Sequence, residues 1–154
     1  MSHIKTIDVT GHGKKKEYMA NAALSPGHLV EIMSTWKIRL HATGGDPAQR
    51  RFALENSAAG GTTETAYAAG DMVPTAVFSP GDEVMARLYN GETAVIGSHL
   101  ESQGDGTLRV VDTDTSAGTV ELNSIVGEAL EAVDMSGSAA LDPTSQGWIR
   151  IEIW

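Results

Sequence analysis

Apolar and polar positions alternate in short bursts along this chain, and the bursts are divided by glycine turns. A four-residue phrase of glycine, polar residue, any residue and aliphatic residue occurs as Gly27-His28-Leu29-Val30, Gly70-Asp71-Met72-Val73, Gly81-Asp82-Glu83-Val84 and Gly97-Ser98-His99-Leu100. Pro26 and Pro80 precede two of these glycines. Pro presets φ and Gly supplies φ > 0, so the phrase marks tight turns that feed strands. Strands are expected over 29–33 and 37–41 as a hairpin, then over 51–55, 70–78, 81–89, 91–96, 107–111 and 119–122. Asn90-Gly91 between alternating runs predicts a further hairpin. Asp46-Pro47 offers an N-cap and a first-turn proline, which predicts a helical turn over 46–50. Residues 56–64 read as a mobile surface loop. The stretch 125–135 fits both periods but is assigned to strand, because Gly127 weakens a helix. Residues 148–154 alternate strictly, with Ile149, Ile151 and Ile153 on one face, and this end is expected to pair into the sheet.

About ten short strands with turn signals between them predict an all-β, compact barrel or sandwich-like domain. Residues 1–23 lack this grammar and are expected to form an extended N-terminal arm, ordered mainly when bound, ahead of a β-rich domain over 24–154.

Composition narrows the picture. The chain has 154 residues, enough for one domain with a core, and no cysteine, which excludes disulfides and thiolate chemistry and fits a reducing cytosol. No apolar run is long enough to span a bilayer, and the start lacks a signal-peptide pattern. The net charge of −9 is unevenly placed. Residues 1–51 hold eight of the eleven Lys+Arg and four of the twenty Asp+Glu, a local charge of +4, which leaves −13 on the remainder. An acidic body argues against nucleic-acid binding, which needs clustered Lys/Arg. The basic segment could instead meet an acidic partner.

Candidate chemistry dissolves on inspection. Gly11-His12-Gly13-Lys14 lacks the spacing of a phosphate loop, and Lys15 stands where Ser or Thr is needed. Asp112-Thr113-Asp114-Thr115-Ser116 opens like a calcium loop, but Ala117 and Asn123 replace the required Gly and Glu. His3, His12, His28, His41 and His99 show no zinc spacing. No lysine follows Lys37, so the β body holds no Schiff-base, biotinyl or lipoyl lysine. Asp82 and Glu83 are adjacent and would face opposite ways on a strand. No serine elbow is present. No enzyme, cofactor or metal is expected.

Several segments together resemble a known family. They are Leu24-Ser25-Pro26-Gly27-His28-Leu29-Val30-Glu31, Phe52-Ala53-Leu54-Glu55-Asn56, Tyr67-Ala68-Ala69-Gly70-Asp71, Pro80-Gly81-Asp82-Glu83-Val84, Gly97-Ser98-His99-Leu100-Glu101-Ser102 and Gly104-Asp105-Gly106-Thr107-Leu108. In order and spacing, over roughly 24–133, they resemble the head decoration (cement) proteins of tailed bacteriophages. The resemblance implies a β-rich structural protein made in the host bacterial cytoplasm and carried on the outer surface of the expanded capsid. It implies a homotrimer that clamps neighbouring major capsid subunits, with no catalysis and with neither nucleic acid nor membrane as partner. The arm lies outside the resemblance; its Ile4, Ile7, Lys14, Lys15, Lys16, Tyr18 and Met19 are candidate capsid contacts on charge and pattern. The alternative is a small-ligand or carbohydrate-binding β-domain on a virion or tail, which would present exposed aromatics on one face. Trp36, Trp148 and Trp154 are dispersed in sequence, which disfavours it.

Overall fold

A computed structural model describes residues 6–11, 13–111, 122–137 and 147–154. Among these residues the chain is almost wholly β, with thirteen strands. They are β1 (Asp8–Thr10), β2 (Lys14–Met19), β3 (Val30–Ile32), β4 (Ile38–Leu40), β5 (Arg51–Ala53), β6 (Met72–Val77), β7 (Glu83–Arg87), β8 (Thr93–Ala94), β9 (His99–Ser102), β10 (Leu108–Val110), β11 (Ile125–Ala129), β12 (Val133–Asp134) and β13 (Trp148–Ile153).

Six strands form the main sheet in the order β1-β7-β13-β11-β9-β10. The end of β7 continues to its far edge, where Leu88 bridges Leu108 and the Tyr89 N–H donates to Leu108 O at 2.7 Å. The sheet thus curls round its core without closing a continuous barrel. A three-stranded sheet, β2-β6-β5, covers the open side, and the β3–β4 hairpin covers that sheet in turn. The β2-β6-β5 sheet is consequently apolar on both faces. Phe52 and its partner Ala76 face the main core with Leu100, Leu108, Val84, Ile149, Ile151 and Ile153. Ala53, Val73 and Tyr18 face a second core, shared with Val30 and Ile38 of the hairpin. This sandwich-like arrangement agrees with the all-β expectation.

The C-terminal strand is a central one. β13 lies between β7 and β11, and its burial alternates as the sequence requires: Ile149, Ile151 and Ile153 are inside, Arg150 and Glu152 outside. Gly127 on β11 has a packing reason, since a Cβ there would stand 2.6 Å from the backbone oxygen of Glu152. Such an approach excludes any side chain.

The turn phrase has a common geometry. In Ser25–His28, Ala68–Asp71, Ser79–Asp82 and Val95–Ser98 the fourth N–H returns to the first carbonyl, at 3.3, 3.1, 3.0 and 2.9 Å. The third residue is Gly27, Gly70, Gly81 or Gly97, with φ of 85, 91, 95 and 90°. These are type II turns, in which the third position needs φ > 0. The polar residue after the glycine closes the loop a second time. His28 Nδ1, Asp71 Oδ2, Asp82 Oδ2 and Ser98 Oγ each accept the first residue's N–H, at 3.1, 2.8, 2.9 and 3.0 Å.

Several expectations are corrected. The described part of 1–23 is no free arm: β1 pairs with β7, β2 pairs with β6 along its whole length, and Tyr18 and Ala20 are buried. Its strands are too short and charged to show a period, and only their partners reveal them. Asn90-Gly91 turns the chain but makes no hairpin, because β7 pairs with β13 and β8 with β12. Gly91 has φ 95° while Asn90 stays out of the left-handed region, so the turn is type II rather than the type I′ a two-residue hairpin needs. Residues 46–50 form no helical turn. Arg50 has φ 58°, which no right-handed helix accommodates, and its guanidinium donates to Ile125 O at 3.2 Å. Residues 56–64 lie mostly at the surface, as expected, with some local order. Asn56 caps a 3-10 turn at Ser57–Ala59, and Thr63 is buried. Leu122 lies in a 3-10 turn (Leu122–Ser124), and the rest of the strand expected over 119–122 falls outside the described residues.

The burial pattern of β13 makes a contrast between neighbours. Ile151→Ala should cost about 2–5 kcal/mol in urea denaturation, and Glu152→Ala, one residue on and exposed, less than about 0.5 kcal/mol.

Candidate functional site

The outer face of the main sheet carries a buried cation. Arg87 and Trp148 are cross-strand partners, and the guanidinium lies 4.2 Å from the indole centroid. Arg87 Nε donates to Pro26 O at 2.8 Å and Nη2 to Thr63 O at 3.4 Å, while Trp148 Nε1 donates to Glu64 Oε1 at 3.3 Å. Gly27 presses on the ring so closely that a Cβ would clash with Trp148. Desolvation pulls the Arg87 pKa down, and the charge of Glu64 opposes that shift. His28 belongs to the same junction. Burial, and then the Arg87 charge, lower its pKa from 6.5 to about 4, with Asp105 acting in the opposite sense. Its ring is therefore neutral at pH 7, which leaves Nδ1 free to accept the Ser25 N–H. This cluster fixes the 25–28 turn and the 62–65 loop on the sheet.

The candidate contact residues separate. Ile4 lies outside the described residues. Ile7 is fully buried in the main core, its N–H donating to Glu55 Oε2 at 3.1 Å, so it offers a partner nothing. Tyr18 is also buried, with Lys16 Nζ 5.2 Å and Arg51 Cζ 5.1 Å from its ring centroid. Lys14, Lys15 and Lys16 are exposed along β2, the edge strand of its sheet. Charged edges of this kind discourage unwanted strand pairing, and they also present a positive ridge. Met19 is 41% exposed beside its strand partner Met72 at 50%. Lys14, Lys15, Lys16 and Met19 are thus brought to one exposed edge, whereas Ile7 and Tyr18 are withdrawn from it.

Sequence reasoning missed Trp36. It stands at the tip of the β3–β4 hairpin, 72% exposed, with φ 60°. A parallel bridge from Ala20 to Ile38 sets this hairpin alongside the end of β2. The only advance signal was an aromatic residue in a turn after Ser34-Thr35. Val95 and Ile96 are exposed at a turn tip, and Trp154, 42% exposed, meets the His99 ring edge-on at 4.5 Å, with His99 Nε2 3.8 Å from Glu128 Oε2.

Polar groups that imitate a reactive site prove to be internal. His41 Nδ1 lies 2.7 Å from Ser102 Oγ, and His41 Nε2 lies 3.8 Å from Glu31 Oε2. Ser102 is fully buried and also accepts the Gly104 N–H, so the pair fastens the loop after β4 to β9. Glu101 is held the same way, by Arg109 Nε at 2.9 Å and Ser124 Oγ at 2.8 Å. An open cleft of ≈ 450 Å³ runs between the 56–61 segment and Tyr67, Asp71 and Met72. Burial raises the Tyr67 pKa to about 12, and its hydroxyl donates to Leu54 O at 2.7 Å. Among the described residues no three His, Asp or Glu side chains are grouped to hold a metal ion. His3, His12 and the calcium-like 112–116 segment fall outside those residues. No described helix is long and apolar enough to cross a membrane.

One of the solved structures that match this chain shares its architecture. It is the head fiber gp8.5 N base of bacteriophage phi29, with a TM-score of 0.56 over 93% of this chain and 95% of that one. The two sequences are 12% identical, so the likeness is one of architecture. No family model matches the chain, and no curated protein matches it in sequence.

Two outcomes follow from the Arg87 junction. Arg87→Ala strips hydrogen bonds from Pro26 O and Thr63 O and should lower stability by about 3 kcal/mol or more, read by chemical denaturation. Between pH 6.5 and about 4 the unfolded chain takes up a proton at His28 that the folded chain refuses, so stability falls as pH drops through that window. His28→Ser, which keeps an acceptor as Ser98 does in the equivalent turn, should flatten that part of the stability-pH curve.

Proposed function

We propose that this chain is a structural protein of a bacteriophage head, which decorates the outside of the expanded capsid and clamps neighbouring major capsid subunits. The observation that carries this reading is the fold shared with the phi29 head fiber N base along nearly the whole of both chains. The order of the turn motifs, which resembles the capsid decoration proteins, supports it independently. In this reading the partners are the major capsid protein and further copies of the chain in a homotrimer, and the chain performs no catalysis.

The electrostatics are consistent with that role. The chain carries −9 overall, so free copies repel one another before assembly. The lysines of β2 form a local exception, able to meet carboxylates on a shell. Repeated weak contacts on a lattice add through effective concentration, so each copy can bind modestly while the assembled layer holds firmly.

Purified protein mixed with expanded, undecorated capsids should bind saturably, at a fixed number of copies per capsid subunit, and should raise the temperature at which the shells release their contents. Sedimentation and thermal release assays read both effects. Failure to co-sediment at any concentration would refute the proposal.

A further inference from the structure

We infer that the β3–β4 hairpin tip is the docking anchor of this chain: Trp36 enters an apolar pocket on the partner, and Lys14, Lys15 and Lys16 engage carboxylates around that pocket. The inference rests on the capsid reading and specifies the contact surface it would use.

Backbone geometry at position 36 is the first ground. The Met33 N–H donates to Lys37 O at 2.8 Å and the Trp36 N–H to Met33 O at 3.0 Å, which closes a loop of three residues. Such loops place their last residue in the left-handed region, where glycine is the usual occupant. Elsewhere the described residues follow that rule, with twelve glycines among them at positive φ. Trp36 and Arg50 are the two described residues that break it. Arg50 is compensated by its hydrogen bond to Ile125 O. Trp36 has no such compensation among the described residues: it is 72% exposed, and its indole N–H meets no acceptor there. A strained, bulky, solvent-facing aromatic is unfavourable in the free chain, and such outliers persist where a function uses them. Trp is also the residue most suited to anchoring an interface, by filling a desolvated pocket.

Its surroundings identify the chemistry of the partner. Ala20 bridges Ile38 in parallel and the Asn21 N–H donates to Ile38 O at 2.8 Å, so β4 runs beside the end of β2. Trp36 precedes Ile38 by two residues, as Tyr18 precedes Ala20, and Lys16 lies over the Tyr18 ring. The register places the hairpin beside the end of β2, the strand that carries Lys14, Lys15 and Lys16, with Lys37 next to Trp36, in a chain of net charge −9. Charge complementarity selects a protein surface with an apolar pocket rimmed by carboxylates.

Co-sedimentation with expanded capsids tests this, using full-length wild type, Trp36→Gly, Trp36→Phe and the triple variant Lys14→Gln, Lys15→Gln, Lys16→Gln. Trp36→Gly should weaken binding at least about 30-fold, while Tm stays unchanged or rises by about 2–4 °C as the strain is relieved. Trp36→Phe should recover most of the affinity. The triple variant should bind more weakly and with a flatter salt dependence. Undiminished binding of Trp36→Gly would overturn the anchor and leave the capsid reading standing; absence of wild-type binding would overturn both. A fall in the Tm of Trp36→Gly would assign the ring to folding, and competition by free oligosaccharides would make it a sugar platform; each outcome overturns the inference.

Discussion

Burying the Arg87 guanidinium against Trp148 is the constraint around which the outer face of the main sheet is arranged. A cation removed from water must be given partners, and few are available on a β-sheet surface, where the backbone groups are already paired. The chain brings them from elsewhere: a carbonyl from the 25–28 turn, another from the 62–65 loop, the face of an indole and the carboxylate of Glu64. Meeting that demand pins two long connections whose own sequences are small and polar. A neutral histidine stands in one of the turns, since burial first and the Arg87 charge second disfavour its cationic form.

Turn chemistry and sheet topology work on different scales here. Each of the four turns of the glycine phrase is closed twice, once by the backbone and once by the polar side chain after the glycine, so it forms from local residues alone. It does not choose which strands pair. The turn at Ser79–Asp82 carries the chain from the three-stranded sheet to the main sheet, and that at Asn90-Gly91 carries it to the small β8–β12 pair. Rigid, self-contained corners let a chain with few aromatics place its aliphatic strands around two separate cores.

That surface is asymmetric. Lys14, Lys15 and Lys16 on β2 and Lys37 beside the strained Trp36 of the β3–β4 hairpin are four basic residues in a chain of net charge −9. Net repulsion between copies and attraction at one basic edge are compatible within a single chain. The lysines on β2 serve both ends, because the charge that protects an unpaired edge from its own copies is available to a partner of opposite sign.

Much of the fold was legible from residues whose signals are local. The alternation of Ile149, Ile151 and Ile153, the glycine-polar turns and the Gly104-Asp105-Gly106 hairpin between β9 and β10 all depend on near neighbours, and each stands where the sequence places it. The candidate surface was legible only in part. Lys14 to Lys16 and Met19 are exposed, but Ile7 and Tyr18 are core, because strands of three to six residues with polar composition acquire their inward face only from the sheet they join. Trp36 gave no warning, since left-handed strain arises from the closure of a particular hairpin and not from composition. By itself, then, the sequence determined an all-β chain, its corners and its charge asymmetry, all of which are properties of short segments and sums. Tertiary structure alone decided that the N-terminal segment is sheet, that Asn90-Gly91 is no hairpin and that one tryptophan stands in solvent while another covers an arginine. Those outcomes depend on contacts between residues tens of positions apart, and no local pattern encodes them.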